Sequence, residues 1–368
     1  MHIRPFKAVF PAWRKIKSAD AFLSNVKEDY ADFRQKGWFD TSEHPAFHIY
    51  QIRTTHRLHT ALLACTDIRD YLEGDIRKHE HTLALKEAKQ MELLQQRRAS
   101  VKPVTLAYPD VEAINQLLRD YTTRIEPDIV VEVGEETHSI WAVEEQVGIE
   151  KLQSLFNEKV PHAYIADGHH RSAATARQFL EHHKQGAYNR LLCAFFPSSE
   201  LEIHDFNRVV KDLGDLSSTN FMARLSNLFH IVPLGQAHKP ERKHELLLHL
   251  DEEWYHLVWK AEILQQYADQ PVVLDAHLLN EWVMEDILGI KDVRNDPRIS
   301  YVEGPRGLDA IRHKVEKGST DRLAFCLYPV QLEEMYLVAD AKRELPPKST
   351  WFEPRMKNGL IVLEYPDS

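Results

Sequence analysis

The chain has 368 residues, enough for two domains or one large α/β domain with an appendage. With 43% hydrophobic and 28% charged residues it reads as a soluble globular protein rather than a disordered one. Its 46 basic and 56 acidic side chains give a formal charge of −10, which argues against a surface built to coat nucleic acid or an anionic membrane. Any anionic ligand must then be met by positive charge gathered locally.

In chain order, a helix is predicted over Ala19 to Lys36 and a strand over Phe47 to Ile52, neither of whose alternating faces is purely polar. Thr82 to Arg98 holds good helix formers, with Leu83, Ala88, Met91 and Leu94 near helical spacing and Thr82 placed to cap the first turn. The group Lys78-His79-Glu80-His81-Thr82 then stands at a helix entry. Pro103 stops that run. Val104 to Tyr108 reads as a strand, Asp110 to Tyr121 as a helix, and Ile129 to Val133 with His138 to Val143 as a strand pair broken at Gly134. Ala163 to Ala166 is a short apolar strand, Asp167 to Arg171 a tight turn, and Ser172 to Lys184 an alanine-rich helix. Leu191 to Phe196 is a further strand.

Polar residues from Gly214 to Asn220 mark a soft boundary, giving an N-terminal domain over 1–212 and a C-terminal α/β domain over 213–368. In the second, helix Phe221 to Leu228, helix Leu274 to Leu288, strand Ile299 to Val302, helix Leu308 to Lys317, strand Leu323 to Leu327 and helix Leu332 to Lys342 alternate as α/β layers do. Asn358-Gly359 between two strands predicts a closing hairpin. Neither a signal peptide nor an apolar run of membrane-spanning length is read, so a cytoplasmic address is expected. Cys65, Cys193 and Cys326 are odd in number, widely spaced and in apolar contexts, as expected of buried thiols in a reducing compartment.

The residues richest in chemistry are Asp167-Gly168-His169-His170-Arg171-Ser172, between a strand and a helix. Gly168 permits a close turn, and the helix after it offers amide groups and a positive dipole end to an anion. Arg171 can fork onto phosphate oxygens, Asp167 can hold magnesium or accept a hydroxyl proton, and His169 or His170 can donate to developing negative charge. The bland counterpart is a polar turn with Asp167 capping the helix. His79 and Glu80 add a second cluster, for which helix capping by Glu80 and Thr82 is an equal alternative. Zinc held by His79, Glu80, His169 and His170 requires the fold to bring the two clusters together. Lys348-Ser349-Thr350 lacks the glycines of a P-loop, yet Lys348 can meet a phosphate as a point charge. Asn207-Arg208 divides evenly between ligand contact and a structural ion pair.

The string Ile165 to Arg171, with Ile76 to Thr82 before it, Pro346 to Phe352 after it, Ile3-Arg4-Pro5-Phe6 at the start and Asn207 to Val210 between, resembles the bacterial and archaeal domain-of-unknown-function family 1015 over nearly the whole chain. Here Lys86-Glu87 is followed by Ala88-Lys89-Gln90, where many members carry Lys-Glu-x-Asp-Arg. The resemblance implies a mixed α/β (α+β) fold with a ParB/sulfiredoxin-like N-terminal core, in which the Asp-Gly-His-x-Arg loop grips nucleotide phosphate. It also implies kinship with the free serine kinase. The resemblance carries over onto Asp167 to Arg171 and not onto Glu80 or Lys348, which enter from their own chemistry; the predicted catalytic set is Asp167, His169, His170 and Glu80, with Asp167 and Glu80 rivals as base. The predicted binding set is Gly168, Arg171, Ser172, His79, Asn207, Arg208 and Lys348. The function so implied is a nucleotide-dependent phosphotransferase using ATP or ADP with magnesium on a small hydroxylated metabolite, serine or phosphoserine foremost. A nucleotide or phosphometabolite sensor without turnover is the alternative, and a zinc hydrolase the remote one.

Overall fold

Runs of apolar and β-branched residues dictate two large sheets, one in each of two units of the chain, beside three two-stranded ones. The computed structural model describes residues 1–182, 187–316 and 323–365. The first unit comprises residues 1–202 and the segment from Pro354 onward, and the second is Ile203–Glu353. The boundary expected at 212/213 therefore falls inside the second unit. The physical reason is that Phe206–Val210, which includes the pair Asn207-Arg208 and is not predicted as a strand, is fully buried and paired with Leu323–Leu327 and Ile299–Glu303 of that unit's sheet.

The first unit is built on a nine-stranded mixed sheet. Its order is Ile76–Arg77, Ala163–Asp167, Val104–Tyr108, Arg190–Pro197, Leu58–Asp67, Phe47–Arg53, Glu136–Val143, Ile129–Val133, with Ile3–Arg4 pairing beside Leu58–Asp67. Ala163–Asp167 runs parallel to Ile76–Arg77 and antiparallel to Val104–Tyr108, with Asp167 opposite Thr105. One face packs Leu62, Leu106, Ile165 and Phe195 against Ile114 and Leu118 of helix Glu112–Arg124 and Leu152 and Phe156 of helix Gln146–Lys159. Burying each such apolar side chain contributes about 1.5–3 kcal/mol. Helices Ala84–Arg97 and His169–Glu181 pack on each other, joined by Gln95 Nε2 donating to Gln178 Oε1 at 2.9 Å.

Several expectations shift. Thr82 does not cap its helix: Leu83 is the N-cap, and the Thr82 hydroxyl donates to the Glu87 carboxylate instead. The helix expected from Ser172 begins at His169, because Gly168 alone makes the turn; its expected end, Lys184, lies outside the described residues. Asp167 closes the strand rather than capping the helix. Asn358-Gly359 is a turn without a hairpin. The strand before it, Trp351–Glu353, pairs with Glu202–His204, while Leu363–Glu364 after it pairs with Ala99–Ser100. Gly359, at φ +71°, donates its N–H to the Val101 carbonyl, and a Cβ there would meet Val26 at 2.6 Å.

The second unit holds a six-stranded sheet, every pair antiparallel, in the order Phe229–Leu234, Glu253–Trp259, Glu245–Leu250, Leu323–Leu327, Phe206–Val210, Ile299–Glu303. The alternation of helices and strands read there thus makes no parallel layers. Direct hairpin pairing of Glu245–Leu250 with Glu253–Trp259 fixes the opposite sense. The helix expected over Leu274 to Leu288 starts as Asp275–Leu278 and widens to a π-helix over Leu279–Glu285. Helix Gly307–Glu316 is described up to Glu316, and its expected end, Lys317, lies outside the described residues. No helix among the described residues is long and apolar enough to cross a membrane.

Candidate functional site

Gly168 sits at φ +118°, a region that side-chain-bearing residues rarely adopt, and a Cβ there would come within 2.8 Å of Arg171 Nη2. Its conformation turns the chain from Asp167, at the sheet, straight into the helix, and places Arg171 back over Asp167. Arg171 Nη2 donates to Asp167 Oδ2 at 2.9 Å and to the Pro103 carbonyl at 3.2 Å.

Two cations that the sequence did not suggest join them. Lys102 Nζ lies 3.2 Å from Asp167 Oδ2, and Arg355 Nη2 lies 3.7 Å from Asp167 Oδ1. Burial opposes ionisation of Asp167, but Arg171, Lys102 and Arg355 together outweigh it and hold the carboxyl far below the usual carboxylate range. Burial, only partly offset by Asp167, lowers the Lys102 ammonium to about 8. Lys102 precedes Pro103 and a neighbouring strand, and Arg355 is nearly two hundred residues away in sequence. Only strand register and the return of the chain to the first unit reveal them.

Arg171 and Lys102 also border a cavity of about 270 Å³. Lys27 and Arg97 complete a set of four cations there, joined by Ser100 and Thr175, and among the described residues no carboxylate lines it. Arg97 is held in place by Nε donating to Leu93 O at 2.8 Å and Nη1 donating to Lys27 O at 2.9 Å, and burial lowers its guanidinium to about 10. Lys27 pairs at the surface with Glu28 at 3.4 Å. Ligand pockets typically span ~300–1,000 Å³, so this one suits a small ligand or the phosphate end of a larger one. Four cations around a space that no carboxylate lines favour an anion.

The second sequence cluster does come to the loop. The His79 and His169 rings meet edge to face with centroids 4.5 Å apart, and Glu80 Oε2 lies 3.7 Å from His169 Nδ1. Burial, with His79 next, holds His169 well below its ordinary pKa, and burial lowers His79 to about 4, so both rings are neutral at pH 7. His169 Nε2 is buried with no hydrogen-bond partner among the described residues. Glu80 is half exposed, and His170 stands partly exposed on the first helical turn. Among the described residues no group of three or more His, Cys, Asp or Glu is arranged to hold a metal ion, so the zinc arrangement is not formed.

Other expected ligand contacts are absorbed by the fold. Ser172 is fully buried, its Oγ donating back to the Gly168 carbonyl at 3.3 Å rather than facing a ligand. In the second unit Asn207 and Arg208 are buried too, Asn207 Oδ1 accepting from Leu327 N at 3.3 Å. Arg208 therefore makes no structural ion pair among the described residues and offers no surface to a nucleotide. Lys348 lies over the Phe206 ring, Nζ 4.9 Å from its centroid.

The first unit is thus a mixed α/β scaffold with an anion-suited cavity beside a strand-to-helix turn. The chain belongs to the family described as Protein of unknown function (DUF1015), whose profile matches residues 10–277. No curated protein matches it. Among solved structures the chain is similar to a free serine kinase in complex with AMP, with 14% identity, 82% of this chain and 91% of that one covered, and a TM-score of 0.42. A conserved hypothetical protein from Pyrococcus furiosus matches with 14% identity, 79% and 90% coverage and a TM-score of 0.38. SbnI with C-terminal truncation from Staphylococcus aureus matches with 10% identity, 80% and 85% coverage and a TM-score of 0.43. Likeness at this level carries nothing about the ligand of this chain.

Proposed function

We propose that this protein is a nucleotide-dependent phosphotransferase acting on a small hydroxylated metabolite, serine or phosphoserine foremost, with its phosphate site in the cavity bordered by Arg171. The observation that carries the anion is the set of four cations, Lys27, Arg97, Lys102 and Arg171, around a cavity that no carboxylate among the described residues lines. Nucleotide and serine come from the resemblance of the Asp167 to Arg171 loop, as does the relation to the ParB/sulfiredoxin-like superfamily.

In the transfer, the acceptor hydroxyl oxygen bonds to the phosphorus, the bond from phosphorus to the donor oxygen breaks, and the hydroxyl proton passes to a base. Glu80 suits that role better than Asp167, whose carboxylate is already shared by three cations and has little affinity for a proton. Neutral His169 beside Glu80 would orient the carboxylate. Asp167 does not fit magnesium for the same reason, and a divalent ion would arrive on the nucleotide's own phosphate oxygens. The same engagement of Asp167 favours the second reading, a sensor that binds phosphate without turnover.

Incubating the protein with ATP or ADP together with serine or phosphoserine and separating the products decides between them. Transfer that disappears in Arg171→Ala supports the first reading. Binding of nucleotide without conversion of any pair supports the second, and no binding at millimolar nucleotide rejects both.

A further inference from the structure

A second cavity opens on the first unit, about 600 Å³ in volume against about 270 Å³ for the one bordered by Arg171. Lys7, Arg97, Arg98 and Arg190 line it, with Glu364 as the single carboxylate among the described residues. That carboxylate is already engaged. Arg34 donates to it from Nε at 2.9 Å and from Nη2 at 3.2 Å, and the Tyr30 hydroxyl donates at 2.7 Å. The charge left facing the cavity is positive.

Arg190, half-buried at the start of its strand, makes no side-chain hydrogen bond or ion pair among the described residues, and none of its guanidinium nitrogens is sealed from solvent. Only its backbone carbonyl is used, accepting from the Tyr365 hydroxyl at 3.2 Å. Asp67, opposite Arg190 across the sheet, is paired with Arg69 at 2.8 Å and Arg4 at 3.5 Å instead. Lys7 is exposed and likewise lacks an ion-pair partner among the described residues. The opening segment Ile3-Arg4-Pro5-Phe6 brings it there. Phe6 and Ala46 exchange N–H to carbonyl bonds at 3.0 and 3.1 Å, which seats Lys7 on the rim and sets Pro5 and Pro45 along the same wall as apolar surface.

We propose that this cavity binds a small phosphorylated metabolite, its phosphate on Arg190 and Lys7 and its apolar part against Pro5 and Pro45. Inorganic phosphate would leave most of the space to water, whereas cavities of ~300–1,000 Å³ take whole small ligands. Arg190 supplies a planar fork of donors that matches phosphate oxygens, and Lys7 a mobile point charge. The site lies beyond the one proposed for phosphoryl transfer and stands whether or not transfer occurs.

The test uses the full chain. Wild-type crystals soaked in 4-bromophenyl phosphate should show an anomalous bromine peak in this cavity, with the phosphate within hydrogen-bonding reach of Arg190. In calorimetric titration with phenyl phosphate, Arg190→Met should weaken one binding event by about tenfold or more, the loss of a charged hydrogen-bond partner, and Lys7→Met, a change at the surface, should weaken the same event. Arg171→Ala should leave that event in place. A bromine peak confined to the Arg171 cavity, or binding that Arg171→Ala removes while both Met variants keep it, overturns the inference and leaves the proposed function standing. Binding sensitive to Arg190 and Lys7 but not to Arg171 supports the inference and counts against the first site. No bromine in either cavity overturns it as well.

Discussion

Asp167→Asn keeps the shape of the side chain and removes the anion that Arg171, Lys102 and Arg355 share. Breaking a fully buried pair costs about 3–5 kcal/mol. Here the Asp167 side chain is 31% exposed and that of Arg355 41%, and screening by solvent reduces the cost. A loss of about 2–3 kcal/mol is expected, which for a unit of this size lowers Tm by about 4–12 °C. The three cations left behind should then take up inorganic phosphate more strongly than the wild type does, by about 5–30-fold, or roughly 1–2 kcal/mol. Thermal melts of both proteins in phosphate and in chloride, at matched ionic strength, measure both effects. Equal stabilisation of the two by phosphate, or an undiminished Tm for the variant without it, would refute the idea that Asp167 and the ligand compete for the same charges.

Gly168→Ala should destabilise by about 1–3 kcal/mol from its positive φ alone and weaken phosphate binding further, since the new Cβ displaces Arg171; chemical denaturation and calorimetric titration report the two separately. With Lys102 lowered to about 8, phosphate binding should weaken as pH rises through 8, and Lys102→Met should flatten that step. Stability should move the opposite way. Between pH 8 and about 10.4 the unfolded chain holds a proton on this lysine that the folded chain lacks, so this group's contribution to stability increases as pH rises through that window. Cys65, Cys193 and Cys326 are buried with thiols pushed upward by burial, Cys65 to about 12, so the native protein should resist iodoacetamide at pH 8 and react at all three sites once denatured.

Local pattern in the sequence was enough to find the elements that hold the site. Val104–Tyr108 and Leu323–Leu327 match the expected strands residue for residue, and Ala163–Asp167 extends the expected one by the aspartate itself. The approach of His79 and Glu80 to His169 was not legible, because it depends on Ile76–Arg77 pairing in parallel with Ala163–Tyr164, a register no spacing encodes. Lys27, Arg97, Lys102 and Arg355 were missed for a related reason. Each looks like an ordinary solvated cation in its own segment, and they become a group only where a helix, a helix end, a strand entry and the returning chain converge. Arg208 differs in the opposite direction: the sequence divides it evenly between a ligand contact and a structural ion pair, whereas Phe206–Val210 is buried from end to end.

The return of the chain to the first unit at Pro354 sets an order on folding. Arg355 and the strand Leu363–Glu364 belong to a unit whose other strands are complete by Pro197, yet the ribosome must first make all of 203–353. The second unit is therefore an insertion, and a nascent chain that has finished it still presents Asp167 with only two of its three cations. A protein stalled or cleaved after Glu353 would carry an intact loop and an incomplete charge set. Completion of the charge set around Asp167 is thereby tied to synthesis of the returning segment, a dependence written into chain topology rather than into any single side chain.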